Sequence, residues 1–261
     1  MNTTALKNRM NIKLQASQTE PERKVYIMES NKSLTSVNSG YAALNNNALE
    51  IISENLKNQP LSFQLFDIVK SPSGGATVFS VPGLTGEEAE KELTGIILDY
   101  TTPRAYWDTP DPIEGTPPIC FSRNSIISHE GKACAHCEFD THGSRNGGET
   151  AAKACKESVA IFLLRLDKII PIIVRVPVTS KMLFLKYTTR LVSNLTPISG
   201  VVTKITLEKA TSKQGKPYAL YNFEAVSTLS PEEAAAAKAF GQKFMEILNA
   251  AEAVPVITEA G

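Results

Sequence analysis

Four cysteines, Cys120, Cys134, Cys137 and Cys155, fall within thirty-six residues, separated by thirteen, two and seventeen positions. The central Cys-Ala-His-Cys has the spacing of a zinc knuckle. Two thiolates two residues apart in a tight turn can reach one tetrahedral ion at about 2.3 Å, and a distant pair completes the shell. Four protein ligands leave no open position, so the expected role of Zn2+ is structural. His129, His136 and His142 are alternative ligands, above all in place of Cys120, which lies in the strand-like Pro-Pro-Ile-Cys-Phe. A disulfide framework needs an oxidising compartment, and nothing in the sequence suggests secretion. A thioredoxin-like redox pair should open a helix after a strand, whereas this pair lies in a Gly-, His- and Ser-rich loop spanning 128–148. The zinc-deaminase signature needs His, one residue, Glu and a far longer gap before its cysteines, and His129-Glu130 does not supply it. The loop is too polar to fold alone, so a bound ion would contribute its binding free energy to local stability.

A second group of residues could hold an extended polyanion. A protein that binds a single nucleic-acid strand without reading its sequence needs cations along the phosphates and flat side chains on which bases stack. Arg104, Tyr106 and Trp107 lie together at one strand end. Lys204, Lys209, Lys213 and Lys216 flank a hairpin, and Tyr218, Tyr221 and Phe223 lie on its return strand. By the two-residue period Tyr221 and Phe223 share one face and Tyr218 the other, so at most one set can stack. Tyr106 and Trp107 are adjacent and face opposite sides, one expected in the core and one exposed. Phe162 and Phe223 are expected in the core. For the lysines a solvated hairpin is the plain alternative.

Lys plus Arg and Asp plus Glu each number 27, so net charge excludes neither acidic nor basic partners. The distribution is uneven, since 181–216 carries seven Lys and Arg against Glu208 alone, whereas the chain from Ser230 onward is acidic. The N-terminal segment lacks the apolar run of a secretory signal, and no stretch approaches the roughly eighteen apolar residues needed to cross a bilayer. The expectation is a cytoplasmic protein without a membrane span.

The elements that must position these groups follow from hydrophobic period. Residues 1–59 read as a flexible arm ending in a short amphipathic helix. A hairpin is expected over 61–81, a short acidic helix over 86–92, and a strand over 93–100 that continues towards Trp107. Two apolar strands, 159–166 and 169–176, should pair after the metal loop. A helix over 178–194, with Thr179 or Ser180 as cap, precedes a hairpin formed by 200–209 and 218–226. Ser230-Pro231-Glu232-Glu233 opens a C-terminal helix that runs to about residue 251. The fold class is mainly β with helices (α+β). It comprises an OB-fold-like five-stranded barrel over 60–229 with a zinc-binding insertion at 118–157, and a C-terminal helix and tail over 230–261.

Pro118-Ile119-Cys120, Gly131-Lys132-Ala133-Cys134-Ala135-His136-Cys137 and Lys153-Ala154-Cys155-Lys156, followed by the apolar strands and the 177–180 step, carry a resemblance. The segment resembles a family of phage and mobile-element proteins that bind single-stranded DNA. More loosely, it is similar to the zinc-bearing OB-folds of the T-even phage helix-destabilising protein and of the large subunit of replication protein A. The resemblance covers about 61–229, and the cysteine spacing departs from both of those barrels. It implies a non-enzymatic single-stranded DNA-binding protein of DNA replication or recombination, with proteins of those processes as further partners and the bacterial host cytoplasm as its location.

Two other classes compete. A nuclease-like site could form from His129, His136, His142 and Asp140, although no phosphate-binding glycine loop or nucleophile motif accompanies them. Alternatively, the barrel and metal loop could dock a protein partner, with the basic hairpin incidental.

Overall fold

The computed structural model describes residues 40–44, 48–57, 59, 61–109, 116–145, 152–213 and 215–253. Most of the expected arm, 1–39, therefore lies outside the described residues. Its last part does not behave as an arm. Tyr41, Ala43 and Ala48 are buried, and a short helix, α1 (Ala48–Leu56), follows them.

Among the described residues ten strands form: β1 (Ile68–Val69), β2 (Phe79–Gly83), β3 (Gly86–Glu90), β4 (Glu92–Thr101), β5 (Arg104–Tyr106), β6 (Cys120–Ser122), β7 (Lys156–Leu164), β8 (Ile172–Pro177), β9 (Val201–Thr211) and β10 (Pro217–Thr228). Two longer helices are α2 (Val178–Ser193) and α3 (Pro231–Ala253). Eight strands make a curled mixed sheet along the path β1-β8-β7-β4-β9-β10, with β5 paired to β7 and to β6. β2 and β3 form a separate ribbon. The sheet thus carries more strands than the five expected.

The run in β7 is continuously apolar because both its faces are covered. Val159, Ile161 and Leu163 face one cluster with Phe184, Tyr187 and Leu191 of α2. Ala160, Phe162 and Leu164 face a second, with Phe244 and Leu248 of α3 and with Tyr41 and Phe66. Phe162 sits where these parts meet, its ring 5.7 Å from Phe63, 6.4 Å from Phe66 and 6.5 Å from Phe244. As expected, Ser230 caps α3 reciprocally: its Oγ accepts from the Glu233 N–H, and its own N–H donates to Glu233 Oε2.

Four local expectations are corrected. There is no hairpin over 61–81, because β1 pairs in parallel with β8 while β2 turns back onto β3. The acidic segment expected as a helix is β3. Gly83 and Gly86 oppose each other across the two-residue turn Leu84-Thr85, Gly86 takes φ +135°, and Arg165 holds Glu90 at 2.7 Å. The strand from 93 breaks after Thr101. Pro103 has no N–H to give to a ladder, and its carbonyl accepts from the Ser158 N–H, so β4 and β5 pair with successive stretches of β7. Ser180 does not cap α2. It is buried, and its Oγ accepts the Tyr221 N–H.

Replacing Phe162 with Ala should leave a cavity between the two covering layers and cost about 3–5 kcal/mol. Denaturant titration of the purified chain checks this, and a loss under about 1 kcal/mol would mean that the site is not packed as described.

Candidate metal centre and basic surface

The cysteine-bearing loop is built from short hydrogen-bonded pieces. Ile126–Ser128 and Lys132–Cys134 form a miniature hairpin with an isolated bridge between Ile127 and Ala133. In it the Ser128 N–H donates to Lys132 O and the Cys134 N–H to Ile126 O, each at 2.8 Å. Gly131, at φ +79°, makes its turn possible. The knuckle follows directly. The Cys137 N–H donates to Cys134 O at 3.3 Å, with His136 in the left-handed region at φ +63°. A single 3-10 turn, Glu138–Asp140, leads away, and the Cys155 N–H donates to Phe139 O at 2.8 Å, which returns the chain to the start of β7.

These pieces bring all four cysteines to the wall of one cavity of about 20 Å³, together with Arg104, Tyr106, Phe121, Ser122, Phe139 and Asp140. That volume suits a single small species, since one water needs about 10–15 Å³. None of the three histidines lines it. His129 instead stacks on Phe121, with ring centres 4.5 Å apart, and its Nδ1 accepts from the Phe121 N–H. Among the described residues, no three His, Cys, Asp or Glu side chains are already arranged to hold a metal ion. Burial pushes the Cys155 thiol up to about 11 and raises that of Cys120 as well, so without a cation both are held as thiols at neutral pH.

The loop is fastened to the sheet through Arg104. Its Nη1 lies 2.7 Å from Asp140 Oδ2, its Nη2 3.7 Å from Glu157 Oε1, and its Nε donates to Ser125 Oγ at 2.9 Å. Ser125 in turn donates to the Thr102 carbonyl. Lys153 Nζ holds the other Asp140 oxygen at 3.0 Å. Burial opposes ionisation of Asp140, but Lys153 and Arg104 together keep its carboxyl below the ordinary range. Next to this clamp, the Tyr106 ring stacks on Phe139 at 3.9 Å with the planes 12° apart.

Several residues expected to contact nucleic acid are therefore already engaged. Arg104 has a side chain only 13 % exposed and turns its guanidinium to Asp140, Glu157 and Ser125, and Tyr106 spends a ring face on Phe139. Lys204 pairs with Glu224 at 2.8 Å. Tyr221 cannot be a contact residue: it is fully buried, edge-on to Phe79, and its hydroxyl donates to Arg175 O. Phe162 is buried as expected, and Phe223 packs between Phe184 and Tyr187. By contrast, Lys209, Lys213 and Lys216 are exposed, and Tyr218 and Trp107 are partly so. Trp107 donates from Nε1 to Thr116 O, and Lys156 Nζ lies 5.9 Å from its ring centre. The nuclease-like set is not assembled: Asp140 is neutralised by two cations and His129 is stacked on Phe121.

Among the described residues no helix is long and apolar enough to cross a membrane. Comparison of the chain with family models, curated proteins and solved structures gave no match.

Arg104→Ala should release the loop, leaving Asp140 and Glu157 short of their shared cation. The expected cost is about 2 kcal/mol, less than for a fully buried pair because both acids keep some solvent contact. Thermal denaturation alongside Arg104→Lys checks the geometry. Lysine cannot reproduce the planar fork, so it should recover only part of the loss; full recovery would show that charge alone matters.

Proposed function

We propose that the chain is a single-stranded DNA-binding protein whose metal loop is closed by one structural zinc ion on Cys120, Cys134, Cys137 and Cys155. The observation that carries the binding part is a contrast among cations. Arg104, Lys153, Arg165, Lys181 and Lys204 are each held by a carboxylate within the fold. Lys209, Lys213 and Lys216 are exposed at the end of the β9–β10 hairpin and form no ion pair among the described residues. Exposed cations grouped at one end of a hairpin suit a polyanion whose condensed counterions they displace.

The order of elements supports the same reading. β4, β7, β8, α2, β9 and β10 follow the strand–strand–strand–helix–strand–strand sequence of an OB-fold, with β4 between β7 and β9 and α2 packed into one core. On this view the metal loop is an insertion between the first and second barrel strands. For the zinc part, four thiols around one small cavity suit a soft tetrahedral ion, and the ion would supply the compensating charge that the buried sulfurs lack. Replication and recombination proteins are the partners that such a role implies, and the cytoplasm of a bacterial host its setting.

Fluorescence anisotropy with labelled oligo-dT and a matched duplex at two salt concentrations tests this, with zinc measured on the same sample. The expected result is one zinc per chain and salt-sensitive binding that favours the single strand. Replacing Lys209, Lys213 and Lys216 together by Gln should reduce the log-log salt slope by about 2, at about 0.7 per phosphate contact. A folded, zinc-loaded chain that binds no oligo-dT at low salt would overturn the reading and favour a protein-docking role.

A further inference from the structure

Two stripes run along α2. One is buried, where Ser180, Phe184, Tyr187 and Leu191 turn towards the sheet. The other lies on the far side of the helix, where Val178, Met182, Leu185, Thr189 and Val192 follow one another at steps of four, three, four and three residues. At about 100° per residue these five positions fall within an arc of about 80°, roughly opposite the buried set. Val178, Met182 and Val192 are between 56 % and 71 % exposed. Thr189 does not break the stripe, because its hydroxyl already donates to the Leu185 carbonyl. Apolar residues exposed singly need no explanation, whereas a file of them along one helix face does.

The end of the helix carries an independent mark. Leu195 follows the C-cap Asn194 in the left-handed region, at φ +54°, and the Thr196 N–H donates to Leu191 O to close the helix. That position favours glycine, and a leucine there is strained. Its side chain is 95 % exposed, so packing within the chain does not offset the strain.

The charges select the partner. α2 has Lys181, Lys186 and Arg190 and no carboxylate. Lys181 precedes Met182 and Lys186 follows Leu185, so both border the stripe as charged residues border a coiled-coil seam. Lys181 is held by Glu157, whereas Lys186 and Arg190 are exposed and form no ion pair among the described residues. A second copy of α2 laid on this stripe would set cation against cation. A helix with apolar residues at the same spacing and Glu or Asp beside them would neutralise those cations instead.

We propose that the outward stripe of α2 docks an acidic amphipathic helix of a partner protein. Val178, Met182, Leu185 and Val192 receive its apolar side chains, and Lys186 and Arg190 its carboxylates. Helices whose apolar positions alternate at three and four residues pack side by side, knobs into holes, and the bordering charges set the choice of partner. The inference does not depend on DNA binding.

The experiment titrates a labelled peptide of about three heptads with the full chain and follows anisotropy. The peptide has Leu at the seam positions, Glu beside them and Ala elsewhere, and its like charges keep it from pairing with itself. Expected is saturable, salt-sensitive binding, with a matched peptide carrying Lys for Glu at least about 10-fold weaker. Met182→Glu combined with Val192→Glu should weaken binding of the Glu peptide at least about 10-fold, as loss of a packed anchor does, without lowering the melting temperature. Lys186→Glu combined with Arg190→Glu should reverse the order of the two peptides. No binding of the Glu peptide, equal affinity for both, or binding that Met182→Glu and Val192→Glu leave intact would overturn the proposal. Sedimentation showing a dimer of the parent chain that those two substitutions dissolve would also overturn it, since the occupant would then be a second copy.

Discussion

The register of β5 on the first residues of β7 is the constraint on which the rest of this structure depends. Because side chains alternate with period two, pairing Ala105 with Lys156 and Arg104 with Glu157 decides at once which residues turn towards the cysteines. A slip by one residue would send Cys155 outward and Lys156 into the cavity. Pro103 helps to set the register. Its missing N–H ends β4, and its carbonyl takes the Ser158 N–H, so the chain rejoins β7 at one place only.

The register is held by a charge network that spans three distant segments. Surface ion pairs contribute little, with a median below about 1 kcal/mol. The Arg104 cluster differs because a mostly buried guanidinium is shared by Asp140 and Glu157 and hydrogen-bonded to Ser125, which is itself tied to Thr102. Such a network is costly to break, since each removed partner strands another charge. It acts alongside the thiols. Burial leaves Cys120 and Cys155 reluctant to ionise, and a divalent cation in the cavity would reverse that preference. Backbone turns and salt bridges thus converge on one loop that has almost no apolar core of its own, and the proposed metal would join them there.

Much of this is legible in the chain. The continuous apolar runs of β7 and β8, the alternation of β9 and β10, the 3.6-residue spacing of α2 and the Ser-Pro-Glu-Glu start of α3 each specify their element locally, and each forms where expected. Cysteine spacing alone groups the four residues that share a cavity. The failures have physical causes. The glutamates of β3 suggest a helix by propensity, but glycines on both sides of Leu84-Thr85 and pairing with the buried β2 prevail. Alternation says that Tyr221 and Tyr218 face opposite ways, yet not which way is in; that depends on where Phe79 and α2 pack. Arg104 reads as a free cation because Asp140 and Glu157 lie far along the chain, and no local pattern announces a long-range pair.

If the end of the β9–β10 hairpin holds a nucleic-acid strand, binding should register there before anywhere else in the fold. Amide hydrogen exchange on the zinc-loaded chain, with and without saturating oligo-dT, tests this most directly because it reads every segment at once. The predicted result is slowed exchange at the ends of β9 and β10, over 207–211 and 217–220, and little change in α3. Protection confined to α3 or to the β2–β3 ribbon, with 207–211 and 217–220 unchanged, would contradict it.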